Sequence, residues 1–248
     1  MPRGGTSLMS TLANGFENTV CLNEIIDTQS GINFYDVALL PGMFAVIRDR
    51  LLNQQPIPNR YNDNDSLTTN TMADGNNLKW RVHDKKIDEN VLIGSKINAP
   101  YLMQLNKIIF NRIQVIAIIR HPVFVLGSYQ MPYTKNINEA NCTTDPRYQD
   151  FTFKNRGNII QCQAELWNWF ASIIINLKDH ITILRYEDIT ENTEEVLEKF
   201  AELFNLPKVN NIPKISNKNI ASRYKKIDEI NEMVALECSM MKHFDYSL

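Results

Sequence analysis

An α/β fold, with a mostly parallel sheet covered by helices on both faces, is what this 248-residue sequence predicts. Three observations carry the prediction. Apolar runs alternate with helical patterns along the whole chain. The stretch Pro2-Arg3-Gly4-Gly5-Thr6-Ser7 runs directly into an apolar helical pattern formed by Leu8, Met9, Leu12 and Ala13. A second apolar run, Val115 to Ile119, ends in Arg120-His121-Pro122, as expected where a buried parallel strand gives way to a helix. Strands are predicted near 19–23, 91–95, 113–119 and 181–185. Helices are predicted near 6–17, 41–54, 100–110, 122–130, 154–178, 193–205 and 225–242. Residues 53–77, rich in Asn, Gln, Asp, Thr and Pro, read as a long polar loop that either closes over the acceptor or is merely mobile. A second interruption runs from Pro132 to Gln149 and precedes a helix carrying Trp167 and Trp169. These two lie two positions apart and face different directions, so at least one belongs to the core. No repeat or second domain is evident, and residues 1–248 are expected to form one domain.

Composition sets limits. With 44% hydrophobic and 22% charged residues the chain has ordinary globular composition, and its length can bury a sizeable core. A net charge of −2 argues against a general nucleic-acid binder, so any basic surface must be local. Cys21, Cys142, Cys162 and Cys238 show no zinc-ligand spacing and read as free thiols in a reducing compartment. The sequence has no recognisable signal peptide and no apolar stretch of ~18 residues, so a cytoplasmic protein is expected. Two glycosylation sequons, at Asn64 and Asn141, therefore read as accidental.

The glycine-containing loop and the Arg120 segment suit the two ends of one nucleotide. Backbone N–H groups of a glycine loop at a helix N-terminus can cradle an anion. Arg120 and Ser128, eight positions apart, place a guanidinium at a strand end and a hydroxyl about two helical turns on, within reach of one phosphate. A Walker A loop would require a Gly-Lys pair, which is absent. The chain instead resembles the sulfotransferases that use 3′-phosphoadenosine-5′-phosphosulfate (PAPS). In that family a P-[RK]-x-G-T-[ST] loop holds the 5′-phosphosulfate, and an R-x-P motif followed by a serine holds the 3′-phosphate. Here Arg3, Gly5, Thr6 and Ser7 match the first, and Arg120, Pro122 and Ser128 match the second. The run Ile181 to Asp188, ending Arg185-Tyr186-Glu187-Asp188, is similar to the family's late strand.

The resemblance implies a P-loop NTPase-like three-layer αβα fold and sulfuryl transfer from PAPS without a metal. Arg3, Gly4, Gly5, Thr6, Ser7, Arg120 and Ser128 would bind the donor. Arg3 would stand beside the bridging oxygen, where charge develops as the sulfuryl group leaves. Many cytosolic members place a lysine and a histidine two residues apart after a strand; this chain has Lys96 and then Asn98. Branches acting on carbohydrate or on protein tyrosine use a glutamate instead, and Glu24 matches its placement. Glu24 is therefore the preferred general base, Lys96 a contact of the sulfuryl group or acceptor, and His83 a runner-up base. Glu187 and Asp188 are expected to orient the loop or cap a helix. The acceptor is expected to be a hydroxyl on a carbohydrate or glycolipid. Six basic residues between Pro207 and Ile227 (Lys208, Lys214, Lys218, Arg223, Lys225, Lys226) either cover the 3′-phosphate or form a solvated loop. The family's anion loop follows a central strand; with Pro2 next to Met1, the expectation is an incomplete N-terminus lacking that strand. A P-loop phosphoryl-transfer enzyme and a non-catalytic nucleotide-binding relic stand as alternatives.

Overall fold

Helices are interleaved with strands from the first described turn onward. In chain order they are α1 (Thr6–Ala13), β1 (Thr19–Asn23), β2 (Ile26–Asp27), β3 (Ile32–Asn33), α2 (Leu40–Leu52), β4 (Ile57–Tyr61), β5 (Asn77–Arg81), β6 (Leu92–Lys96), α3 (Ala99–Met103), α4 (Leu105–Phe110), β7 (Ile116–Ile119), α5 (Pro122–Tyr129), α6 (Ile159–Asn176), β8 (Thr182–Arg185), α7 (Tyr186–Glu191), α8 (Thr193–Phe204) and α9 (Ile227–Glu237). The computed structural model describes residues 3–27, 29–67, 77–131, 142–144, 148, 151–207, 215, 224 and 226–248. The chain forms two compact units: Met1–Gly5 with Val115–Glu187 and Ser216–Leu248, and Thr6–Gln114 with Asp188–Ile215.

In the second of these units, β1 and β6 pair in parallel, from Thr19↔Leu92 to Asn23↔Lys96. Both were legible as apolar, β-branched runs. Val20 and Leu22 are fully buried, and α1 contributes buried Met9, Leu12 and Ala13. Phe16, just beyond α1, stacks on Phe200 of α8 with ring centroids 5.2 Å apart. α1 stops at Ala13 rather than residue 17 because the Asn14 side chain takes over the chain's hydrogen bonds. It donates to Ser10 O and Cys21 O and accepts from Cys21 N.

Lys85 secures the same turn. Its ammonium donates to the carbonyls of Asn14, Phe16 and Thr19, a positive charge at the C-terminal end of α1. Burial lowers the lysine's pKa, with Asp84 pulling it back up. Replacing Lys85 with methionine strands those carbonyls and is expected to destabilise the protein by about 1–3 kcal/mol. A denaturant midpoint equal to wild type would contradict this.

Residues 53–77, expected as a loop, instead begin an antiparallel pair, β4–β5, with register Ile57↔Arg81 to Tyr61↔Asn77. Pro58 and the Asn-rich composition argued against a strand. Side-chain contacts hold it together: Arg81 lies over the Tyr61 ring, Arg50 over Trp80, and Asp65 pairs with Lys79 and Arg81. The remainder of that stretch, 68–76, lies outside the described residues.

In the other unit, β7 and β8 pair in parallel from Ile116↔Thr182 to Ile119↔Arg185. The amphipathic α6 starts at Ile159, later than expected, because Asn158 caps it by accepting from Ile160 N and Gln161 N. Trp167 is buried, whereas Trp169 is half-buried against Phe151 and Phe170. α9 ends at Glu237 and gives way to a 3-10 turn, Ser239–Phe244. The described strands thus form two parallel and two antiparallel pairs, and the parallel pairs are the four strands the sequence predicts. All four cysteines are free thiols, and no described helix is long and apolar enough to cross a membrane.

Candidate active site

The Arg120 segment is built at the junction of β7 and α5. Arg120 follows the last strand residue, and Pro122 opens the helix, where its missing N–H is no loss. Ser128, near the other end of α5, is 4% exposed and Arg120 is 6% exposed. The Arg120 guanidinium donates through NH1 to Arg3 O, at 3.3 Å, and lies 4.4 Å over the Tyr186 ring. Its own carbonyl accepts from Trp167 Nε1 at 3.1 Å. Arg3 Nε donates to Ser128 Oγ, at 3.1 Å, and that hydroxyl donates to Val125 O. Arg3 is thus tied to Arg120 through its carbonyl and to Ser128 through its side chain.

Gly5 is required there for two reasons. Its φ is +87°, and a Cβ would sit 2.2 Å from Tyr186 Cδ2. One tyrosine ring thus packs against both the glycine loop and Arg120, a link sequence reading missed. Glu187, expected to orient this region, accepts from His121 N and from the Tyr246 hydroxyl. Gly127 approaches the Tyr224 ring closely enough that a Cβ would lie 2.5 Å from it. Of the basic segment, Lys226 is described; Lys208, Lys214, Lys218, Arg223 and Lys225 lie outside the described residues.

His121 caps α5. Its Nδ1 accepts from Val123 N while Nε2 donates to Ser247 O, which fixes the neutral tautomer. Burial lowers its pKa; the Ser247 bond and Glu187 act the other way, and Arg185 adds to the lowering. A histidine whose folded pKa lies below the unfolded value, about 6.5, contributes stability above that pH and loses it as pH falls toward the folded pKa. Thermal stability should therefore decline below about pH 6.5 less steeply in His121→Asn than in wild type. Parallel pH profiles would remove His121 from that role.

The other candidates lie where β1 and β6 end side by side. Glu24 follows β1 in the left-handed conformation, φ +50°, which disfavours a residue with a Cβ by roughly 1–2 kcal/mol. Its N–H donates to Lys96 O at 2.9 Å, extending the ladder one step. Its carboxylate oxygen Oε1 accepts from Lys96 Nζ, at 2.5 Å, and from Asn98 Nδ2, at 3.1 Å. Oε2 accepts no hydrogen bond among the described residues. Asn98 turns its Oδ1 to the Thr6 hydroxyl at 2.8 Å, so one asparagine joins α1's first residue to the Glu24 carboxylate. Lys96 is 7% exposed and Ser7 is 8% exposed. His83, half-buried beyond β5 and 3.8 Å from Asp84, makes no hydrogen bond to Glu24 among the described residues. The structure thus joins Glu24 and Lys96 directly, and Arg3 with Arg120 and Ser128.

The sulfotransferase-domain family model matches residues 1–244. The chain belongs to the sulfotransferase family. It is accordingly an enzyme that moves a sulfuryl group from PAPS to an acceptor, and the match runs through both compact units. No curated protein and no solved structure matched the chain. Sequence reading of this sulfotransferase noted Asn98 only as the place of an absent histidine. It gave no sign of Arg60, whose Nε and NH2 both donate to Glu24 O.

Proposed function

We propose that this sulfotransferase sulfates a hydroxyl on a carbohydrate or glycolipid, with Glu24 as general base and no metal. The observation that carries the reading is the Glu24 carboxylate. Lys96 and Asn98 occupy Oε1, leaving Oε2 to take a proton from an acceptor hydroxyl. Lys96 orients that carboxylate through its bond to Oε1. Asn98 stands where a histidine base would be expected, which favours the glutamate-using branches of the family.

PAPS, when bound, supplies the sulfuryl group and a phosphate leaving group. Arg120 and Ser128 are assigned to its 3′-phosphate by the Arg-x-Pro motif and the serine that follows it, and both are buried. Gly4, Gly5, Thr6 and Ser7 are assigned to the phosphosulfate by the loop motif, with Arg3 offering its guanidinium to the bridging oxygen. The acceptor class is tested by transfer from labelled PAPS to mono- and oligosaccharides, glycolipids, simple phenols and a tyrosyl peptide. Transfer to the sugar-bearing acceptors is expected; transfer confined to phenols or the peptide would overturn the assignment.

A further inference from the structure

Glu24 is held by its backbone as well as by its carboxylate, and the grip on its carbonyl comes from β4. β1 has β6 along one edge; side chains meet backbone groups that the ladder leaves over. Asn59 Nδ2 donates to Cys21 O at 3.1 Å, and Asn59 Oδ1 accepts from Asn23 N at 3.1 Å. The next residue, Arg60, places Nε at 3.1 Å and NH2 at 2.9 Å from Glu24 O. Two consecutive residues of β4 therefore clasp Cys21 and Asn23 of β1 and Glu24 just beyond it. Asn59 also accepts from Arg60 N, and both positions are fixed by pairing with β5, Asn59↔Lys79 and Arg60↔Leu78.

We infer that Arg60 is a positioning residue for the reaction: its two-pronged bond to Glu24 O holds Glu24 in the left-handed conformation that aims its carboxylate at the acceptor. This rests on Glu24 being the base. A left-handed residue with a Cβ persists only where its surroundings over-determine it, and such strain gathers at functional positions. Glu24 N is bonded to Lys96 O, which fixes one side of the residue. Arg60 supplies the bonds to its carbonyl among the described residues. Without them, the left-handed conformation of Glu24 loses its carbonyl-side restraint, and relaxation of the backbone there shifts the carboxylate relative to Lys96 and Asn98. A lysine keeps the charge but not the planar fork, so the two substitutions separate a charge effect from a grip.

The test compares wild type with Arg60→Ala, Arg60→Lys, Glu24→Gln and the Arg60→Ala/Glu24→Gln double variant. Amide hydrogen exchange at Glu24 should accelerate about tenfold or more in Arg60→Ala, with PAP affinity unchanged. PAP release from PAPS, with water as acceptor, should fall about 10–100-fold in Arg60→Ala, and Arg60→Lys should recover only part of it. The double variant should release PAP no more slowly than Glu24→Gln alone, because Arg60 acts through Glu24. Unchanged exchange at Glu24 would overturn the clasp, and a further loss in the double variant would overturn its action through Glu24. Full turnover in Glu24→Gln would instead overturn the base assignment, with the exchange result still reporting on the clasp.

Discussion

Glu24→Gln is expected to lower sulfuryl transfer by about 10²–10⁴-fold, the contribution typical of a positioned general base. The amide is nearly isosteric and can still accept Lys96 and Asn98 at its carbonyl oxygen. It cannot take a proton from an acceptor hydroxyl. Donor affinity should stay within about twofold, because an interaction made only as the proton moves affects turnover and not ground-state binding. Steady-state turnover and a PAP titration on the same preparation separate the two quantities. A fully active variant would remove Glu24 as base; weakened PAP binding with unchanged turnover would move it to the donor site.

The second large effect is expected at Arg120. The residue is buried, its guanidinium lies over Tyr186 and bonds Arg3 O, and its backbone carbonyl accepts from Trp167. Removing charge-assisted bonds to a phosphate loses roughly 1.5–3 kcal/mol, about 10–150-fold in dissociation constant. Arg120→Ala should therefore weaken PAP binding by that factor, with a smaller loss in Arg120→Lys, which keeps charge without the fork. ADP, lacking a 3′-phosphate, should bind wild type and variant nearly alike. Equal weakening of PAP and ADP would assign Arg120 to packing rather than to the 3′-phosphate.

The four parallel strands, Thr19–Asn23, Leu92–Lys96, Ile116–Ile119 and Thr182–Arg185, were legible because each contains or directly follows a short apolar run with a clear stop. Helix positions were legible for the same reason, but their ends were set by side chains that periodicity does not register. Asn14 stops α1 and Asn158 starts α6. β4 and β5 escaped notice because polar and charged residues stabilise them through contacts distant in sequence, such as Asp65 with Lys79 and Arg81. The site divides similarly. Arg3, Gly5, Arg120 and Ser128 carry a local motif. Tyr186 against Gly5, Asn98 between Thr6 and Glu24, and Arg60 on Glu24 O are pairings of residues far apart in the chain.

The most direct test is a calorimetric titration of the protein with PAP in EDTA, with ADP and ATP as controls. The account predicts PAP binding without divalent metal, tighter than ADP and sharply weakened in Arg120→Ala. PAP binding no tighter than ADP, or ATP binding that requires Mg²⁺, would contradict it.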